Sequence, residues 1–157
     1  MKAPRFVWHL IQVGPRLAYA LGLGPLVGSF VLLLTTTGRT SGRLRTTPLV
    51  YEDLNGTYHV ASARGRMADW LRNIQANPIV HVRVGRRRFE GTAEVVTDVG
   101  RIADYLDRLV RRNPKMFGAI LRTEGLPTRP TRKDLEDLAS KRPMVAIRPR
   151  ADGDEHV

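Results

Sequence analysis

The sequence predicts an α+β fold: a six- to seven-stranded antiparallel β-barrel with flanking helices. Three observations point there. Short runs rich in β-branched residues, separated by glycine or asparagine turns, recur from Phe30 to Thr97 and again from Pro143 to Arg148. Segments of helical period fall between and after these runs, at about 67–75, 98–112 and 131–140. A length of 157 residues, 42% hydrophobic and 26% charged, suits one globular domain with a core of its own.

The elements follow from local signals. Strand one, about 30–37, is an apolar run that ends in three hydroxyl residues, Thr35, Thr36 and Thr37. A turn bracketed by Gly38 and Gly42 leads into strand two, about 44–53. Asn55-Gly56 is a strong hairpin signal, and strand three follows at 57–63. The three strands are expected to be antiparallel neighbours. Met67 to Gln75 reads as a short helix with Trp70, Leu71 and Ile74 on one side, stopped by Asn77-Pro78. Strands four (79–84) and five (87–97) are joined at Gly85. Asp98 is suited to cap a helix running to about Arg112, with Ile102, Tyr105, Leu106 and Leu109 as its buried stripe. Residues 115–130 mix a short apolar patch with Gly125, Pro127 and Pro130, which leaves a seventh strand open there. Thr131 caps a helix to about Ser140, and strand six spans 143–148.

The barrel domain is therefore expected over residues 29–150, with a frayed tail at 151–157 and a separate apolar helical segment at 1–28. Leu17 to Thr37 carries no charge, but Gly22, Gly24, Pro25 and Gly28 interrupt it and its second half is strand one. A packing or interfacial helix is the expected reading, in preference to a membrane span. Ala18-Tyr19-Ala20 resembles a cleavage site, yet His9, Gln12 and Arg16 break the patch that a signal peptide would need.

Charge and composition narrow the chemistry. There is no cysteine, so disulfides, thiolate catalysis and cysteine metal sites are excluded, and a reducing cytoplasm is permitted. The four histidines, His9, His59, His81 and His156, show no metal-ligand spacing, and no metal is expected. A formal charge of +11 calls for an anionic partner: nucleic acid, an acidic membrane surface or a multiply charged small molecule. Arg86, Arg87, Arg88, Arg108, Arg111 and Arg112 are the residues a nucleic-acid module would use. With 6% aromatic residues and no zinc, helix-turn-helix or RNP signature, nucleic acid is not the expected partner.

The stretch from Leu32 to Pro48, LLLTTTGRTSGRLRTTP, carries the clearest chemistry. Glycines allow the backbone to reverse close to a ligand, hydroxyls donate neutral hydrogen bonds, and guanidinium forks donate charge-assisted ones. Arg43 and Arg45 are two apart in a strand reading, so both would face one side, with Arg39 reaching in from the turn. A solvated hairpin with basic residues at its mouth is the alternative on composition alone. Neither a Walker loop nor GxGxxG is present.

TTTGRTSGRLRTTPL, the hairpin VYEDLNGTYHVAS, then ADWLRNIQANP and the last strand MVAIRP together resemble the deazaflavin-dependent nitroreductase family, split β-barrel oxidoreductases that use coenzyme F420. The resemblance implies an FMN-binding split-barrel-like fold and hydride transfer from reduced F420 to a small-molecule electron acceptor. It implies that Arg39 and Arg45 grip the phosphate and carboxylates of the cofactor tail, with Thr37, Thr40, Ser41, Thr47 and Pro48 around them. Thr40 stands where the family often has lysine and Thr47 where it has asparagine; Arg43 is our inferred replacement for the missing charge. Ser62 matches a serine near the deazaflavin ring and is the catalytic candidate. Ala61, Ala63 and Arg64 flank it, and Trp70 and Asn73 match a tryptophan and an asparagine of the family.

Some relatives place tyrosines on the substrate side. This chain has Val50 at one such position and no tyrosine after Tyr105, which argues against nitroimidazole reduction. An apolar lid is expected at Met116 to Leu126, and with the N-terminus it suggests a quinone-like or lipid-like acceptor, with nitro or enone compounds as further candidates. The resemblance also implies a homodimer. A cytoplasmic protein touching the inner face of the membrane through its N-terminal segment fits these expectations. FMN on the same fold is the alternative cofactor.

Overall fold

The computed structural model describes residues 31–61, 65–112, 114–123, 125–127, 129–151 and 155–156. The expected N-terminal helix at 1–28 and its membrane contact lie outside the described residues, as do Ser62, Ala63 and Arg64.

Six strands close into an antiparallel barrel: β1 (Val31–Thr37), β2 (Leu44–Leu54), β3 (Thr57–Ala61), β4 (Ile79–Val84), β5 (Arg87–Val96) and β6 (Met144–Pro149). The order around the barrel is β4-β1-β2-β3-β6-β5, and pairing of β5 back onto β4 completes the ring. The β2–β3 hairpin turns at Asn55 and Gly56, whose φ values of 53° and 84° are the positive pair that a tight primed turn requires. Asp53 supports it by accepting the Gly56 N–H at 2.8 Å.

Two clusters share the strand residues between them. Leu32, Leu34, Val60, Val80, Val145 and Ile147 point into the barrel, where Trp70, Leu71 and Ile74 of helix α1 (Asp69–Ala76) join them. Met144, Ala146 and Val96 face outward and are covered by helices α2 (Val99–Arg112) and α4 (Arg132–Ala139). This explains the unbroken apolar run MVAI in β6: residues alternate between two cores, not between core and water.

Helix starts follow their caps. Asp98 accepts the Arg101 N–H at 2.8 Å ahead of α2. Thr131 and Asp134 form a reciprocal capping box on α4. The first part of the mixed stretch 115–130 is not a strand but belongs to helix α3 (Pro114–Thr123), packed against α2 with Leu121 buried. Pro114 at its first position is compatible with a helix start, where no N–H is needed. The seventh strand is β7, Glu155–His156, which lies within the expected tail and pairs with Arg88 and Arg87 of β5. Among the described residues, no helix is long and apolar enough to cross a membrane.

Beneath α2, a polar group interrupts the outer core. Glu52 and His59 sit opposite each other on β2 and β3, both buried, and Arg108 of α2 reaches Glu52 at 2.6 Å. Tyr105 donates its hydroxyl hydrogen to the His59 carbonyl at 3.3 Å. Burial pushes the His59 pKa below its ordinary 6.5, with Glu52 pulling the other way. The unfolded chain then binds the proton more readily than the folded one. His59 therefore favours the native state fully above about pH 6.5, and its contribution falls as pH drops towards the lowered folded pKa. Replacing His59 with glutamine is expected to flatten this acid-side loss, as measured by urea unfolding at about pH 7.5 and about pH 5.5. An unchanged slope in the variant would assign the loss to other groups.

Candidate active site

The site begins where β1 runs out of apolar residues. Alternate β1 side chains point inward, so Leu32 and Leu34 are followed by Thr36, a hydroxyl carried into the barrel interior at 1% exposure. A buried hydroxyl needs a partner, and Asn73 of α1 provides one, donating from Nδ2 to Thr36 Oγ1 at 3.1 Å. Asn73 lies three residues after Trp70 and one before Ile74, so the helical period carries it into the barrel with them, at 3% exposure. Its other amide atom, Oδ1, accepts twice from Arg39: from the backbone N–H at 3.2 Å and from a guanidinium nitrogen at 3.0 Å. A second guanidinium nitrogen of Arg39 reaches Asp69 Oδ1 at 3.1 Å.

The turn between β1 and β2 is tied to itself. Gly38 and Arg43 share a backbone bond of 2.8 Å, Gly42 donates back to the Gly38 carbonyl at 2.8 Å, and Ser41 Oγ accepts the Arg43 N–H at 3.2 Å. A Cβ on Gly38 would lie 2.9 Å from Ser41 Oγ and 3.0 Å from the Arg43 carbonyl, so only glycine fits without a shift. Gly42, at φ 68°, supplies the left-handed residue that lets the chain re-enter β2. There Arg45 stands opposite Thr36, on the inward face at the barrel mouth, and Thr46 pairs with Thr35 through their hydroxyls at 2.8 Å.

These pieces enclose an open cleft of about 540 Å³, lined by the turn from Gly38 to Ser41, by Arg45, Thr46 and Thr47 of β2, and by Asp69, Trp70 and Asn73 of α1. Two guanidiniums and several hydroxyls thus converge beside an indole. The Arg45 side chain makes no hydrogen bond or ion pair with another described residue. Trp70, 7% exposed, belongs to the barrel core and forms the cleft wall as well.

Of the residues expected at the site, Arg39, Thr40, Ser41, Arg45, Thr47, Trp70 and Asn73 line the cleft, while Thr37, Arg43, Pro48 and Ala61 do not. Arg43 departs because β2 starts at Leu44. Arg43 is therefore the last turn residue, its backbone engaged with Gly38 and Ser41, and the two-residue strand spacing to Arg45 does not apply. Ala61 ends β3 beside the outer core. Among the described side chains, none from α3 or from 125–127 lines the cleft. Gly38, Thr46 and Asp69 are cleft residues that the sequence did not single out as ligands. Asp69 carried a usable signal: a carboxylate in the first turn of the helix that presents Trp70 and Asn73.

Comparison with known proteins separates fold from family. A structure of an F420-H2 dependent reductase superposes with a TM-score of 0.51 at 24% identity, covering 74% of this chain and 92% of that one. The haem storage protein HutZ from Vibrio cholerae superposes with a TM-score of 0.57 at 14% identity, covering 88% and 92%. At such identities the likeness shows the split-barrel fold and no more. In sequence, an F420H(2)-dependent quinone reductase of Mycobacterium tuberculosis is 40% identical over 68 residues, which is 41% of this chain and 46% of that protein, so the match spans about half the relative's length. The family model for F420H(2)-dependent quinone reductases matches residues 19–128. These residues include the whole β1–β2 turn, α1 and most of the barrel, and the chain belongs to the F420H(2)-dependent quinone reductase family.

Proposed function

We propose that this protein is an F420H2-dependent reductase that holds coenzyme F420 in the cleft between the β1–β2 turn and α1 and passes a hydride to a quinone-like acceptor. The observation that carries this reading is the convergence of Arg39 and Arg45 on one cleft walled by Trp70. The donor set suits the cofactor's phosphodiester and carboxylates. Arg39 and Arg45 offer charge-assisted bonds, and Thr40, Ser41, Thr46 and Thr47 offer neutral ones.

When bound, reduced F420 would supply a hydride from C5, which together with one proton would reduce a quinone-like acceptor by two electrons. The protein's share is binding, orientation and exclusion of water. Asn73 holds Arg39 at the backbone and at one guanidinium nitrogen together, which fixes the residue as part of the cleft lining while its other terminal nitrogen meets Asp69. Trp70 closes one wall against water with an apolar surface that a planar ring can meet. None of the described residues that line the cleft is a histidine or a tyrosine, and those residues offer positioning and charge.

Fluorescence titration with coenzyme F420 tests the reading. Micromolar binding is expected, weakened at high salt and reduced about tenfold in Arg45→Ala, the loss of one charge-assisted contact. A menaquinone analogue should then oxidise the bound reduced cofactor. Absence of F420 binding, or binding indifferent to Arg45, would overturn the assignment of the cleft and favour FMN as the next cofactor to titrate.

A further inference from the structure

The cleft contains a carboxylate as well as two guanidiniums. Asp69 lines it, 3.1 Å from a terminal guanidinium nitrogen of Arg39, at the position an incoming phosphate or carboxylate oxygen would take. Two facts argue that this contact is not there to hold Arg39. Asn73, itself buried, already fixes the Arg39 backbone and guanidinium from the other side. The Asp69 side chain is 75% exposed against 29% for Arg39, so the pair is a solvated one of the kind that contributes little to stability. Asp69 is also the first residue of α1, anchored by the helix whose Trp70 and Asn73 complete the cleft, so its charge is held at the ligand's entrance whether or not a ligand is bound.

We propose that Asp69 is an internal competitor for Arg39: it occupies the outer guanidinium edge in the free protein and must be displaced by the ligand's anionic group. The inference deepens the function proposed above and rests on the cleft being an anion site. It makes Asp69 a residue that sets affinity and selectivity. A ligand wins the edge only by offering more negative charge than one carboxylate, which favours a phosphodiester with attached carboxylates over a simple monoanion. Arg45, with no partner among the described residues, is the contact available from the outset.

The test is a two-by-two set of variants, Asp69→Asn and Arg39→Ala singly and together. Each is titrated with coenzyme F420 by fluorescence and with inorganic pyrophosphate by calorimetry. Asp69→Asn is expected to tighten both ligands by about two- to fivefold, the scale of an exposed ion pair, and to lose that gain when Arg39 is alanine. Weaker or unchanged binding in Asp69→Asn would overturn the proposal and make Asp69 a positioning or silent residue. A gain that survives in the Arg39→Ala background would also overturn it, since the carboxylate would then act through its general field. If pyrophosphate follows the expected pattern while F420 does not bind, the competitor stands and the cofactor reading falls. If neither ligand binds, both fall.

Discussion

Replacing Asn73 with alanine is expected to destabilise the protein by about 2–4 kcal/mol and to weaken F420 binding by more than about tenfold. The substitution removes one side chain and breaks three hydrogen bonds. Thr36 Oγ1 loses its 3.1 Å donor inside the barrel, and the Arg39 backbone N–H and guanidinium lose their common acceptor. Thr36 is 1% exposed, so water does not readily replace what is lost. Arg39 would then be held by Asp69 alone, an exposed contact, and its fork would no longer be fixed on the cleft. Urea unfolding reads the first effect and F420 titration the second. Thr36→Val separates them. It removes one buried hydroxyl but leaves the Arg39 clamp, so a cost of about 1 kcal/mol with near-native binding is expected. If Asn73→Ala binds F420 as the parent does, the clamp has no part in ligand recognition.

The second large effect lies away from the cleft. Arg108→Met is expected to cost about 2–3 kcal/mol of stability, because it leaves the Glu52 carboxylate without the guanidinium that meets it at 2.6 Å. Glu52 is only 7% exposed and faces the buried His59 across the β2–β3 pair. The cost lies at the lower end of buried-pair values because the Arg108 side chain is 39% exposed and partly solvated. Adding Glu52→Gln to Arg108→Met should recover most of the loss, since a neutral amide is cheaper to bury than an unpaired charge. F420 affinity should change little in either variant, as none of these residues lines the cleft. A double variant no more stable than Arg108→Met would show that Arg108 acts by packing over the outer core and not by pairing.

The two networks divide the barrel's polar content by role. Inside the barrel mouth, Thr36, Asn73 and Arg39 form a chain from a buried hydroxyl to a guanidinium that lines the cleft. Outside it, Glu52 and Arg108 tie the β2–β3 hairpin to α2, with His59 and Tyr105 alongside. The high formal charge is reduced locally by pairing. Arg111, Arg132, Arg148 and Arg150 each meet a carboxylate on the surface.

The sequence by itself determined the elements that depend on a few neighbouring residues. Asn55-Gly56 set the hairpin, Asp98 and Thr131 capped their helices, and alternation in β1 ran far enough to put Thr36 inside. The turn between β1 and β2 was legible for the same reason, because a glycine-bracketed reversal with hydroxyls is local chemistry. Tertiary structure decided what depended on distance or on register. Arg43 stays in the turn, outside the residues that line the cleft, because β2 begins at Leu44. Residues 114–123 became a helix because α2 offered a surface to pack on, which their mixed composition could not announce. Barrel closure paired β5 with β4 and β6, and α1 brought Asn73 and Asp69 to Arg39 across 34 and 30 positions of chain. A contact of that range leaves no periodic trace in the sequence. Asn73 becomes the hub of the site only because folding buries it where Thr36 and Arg39 need a partner.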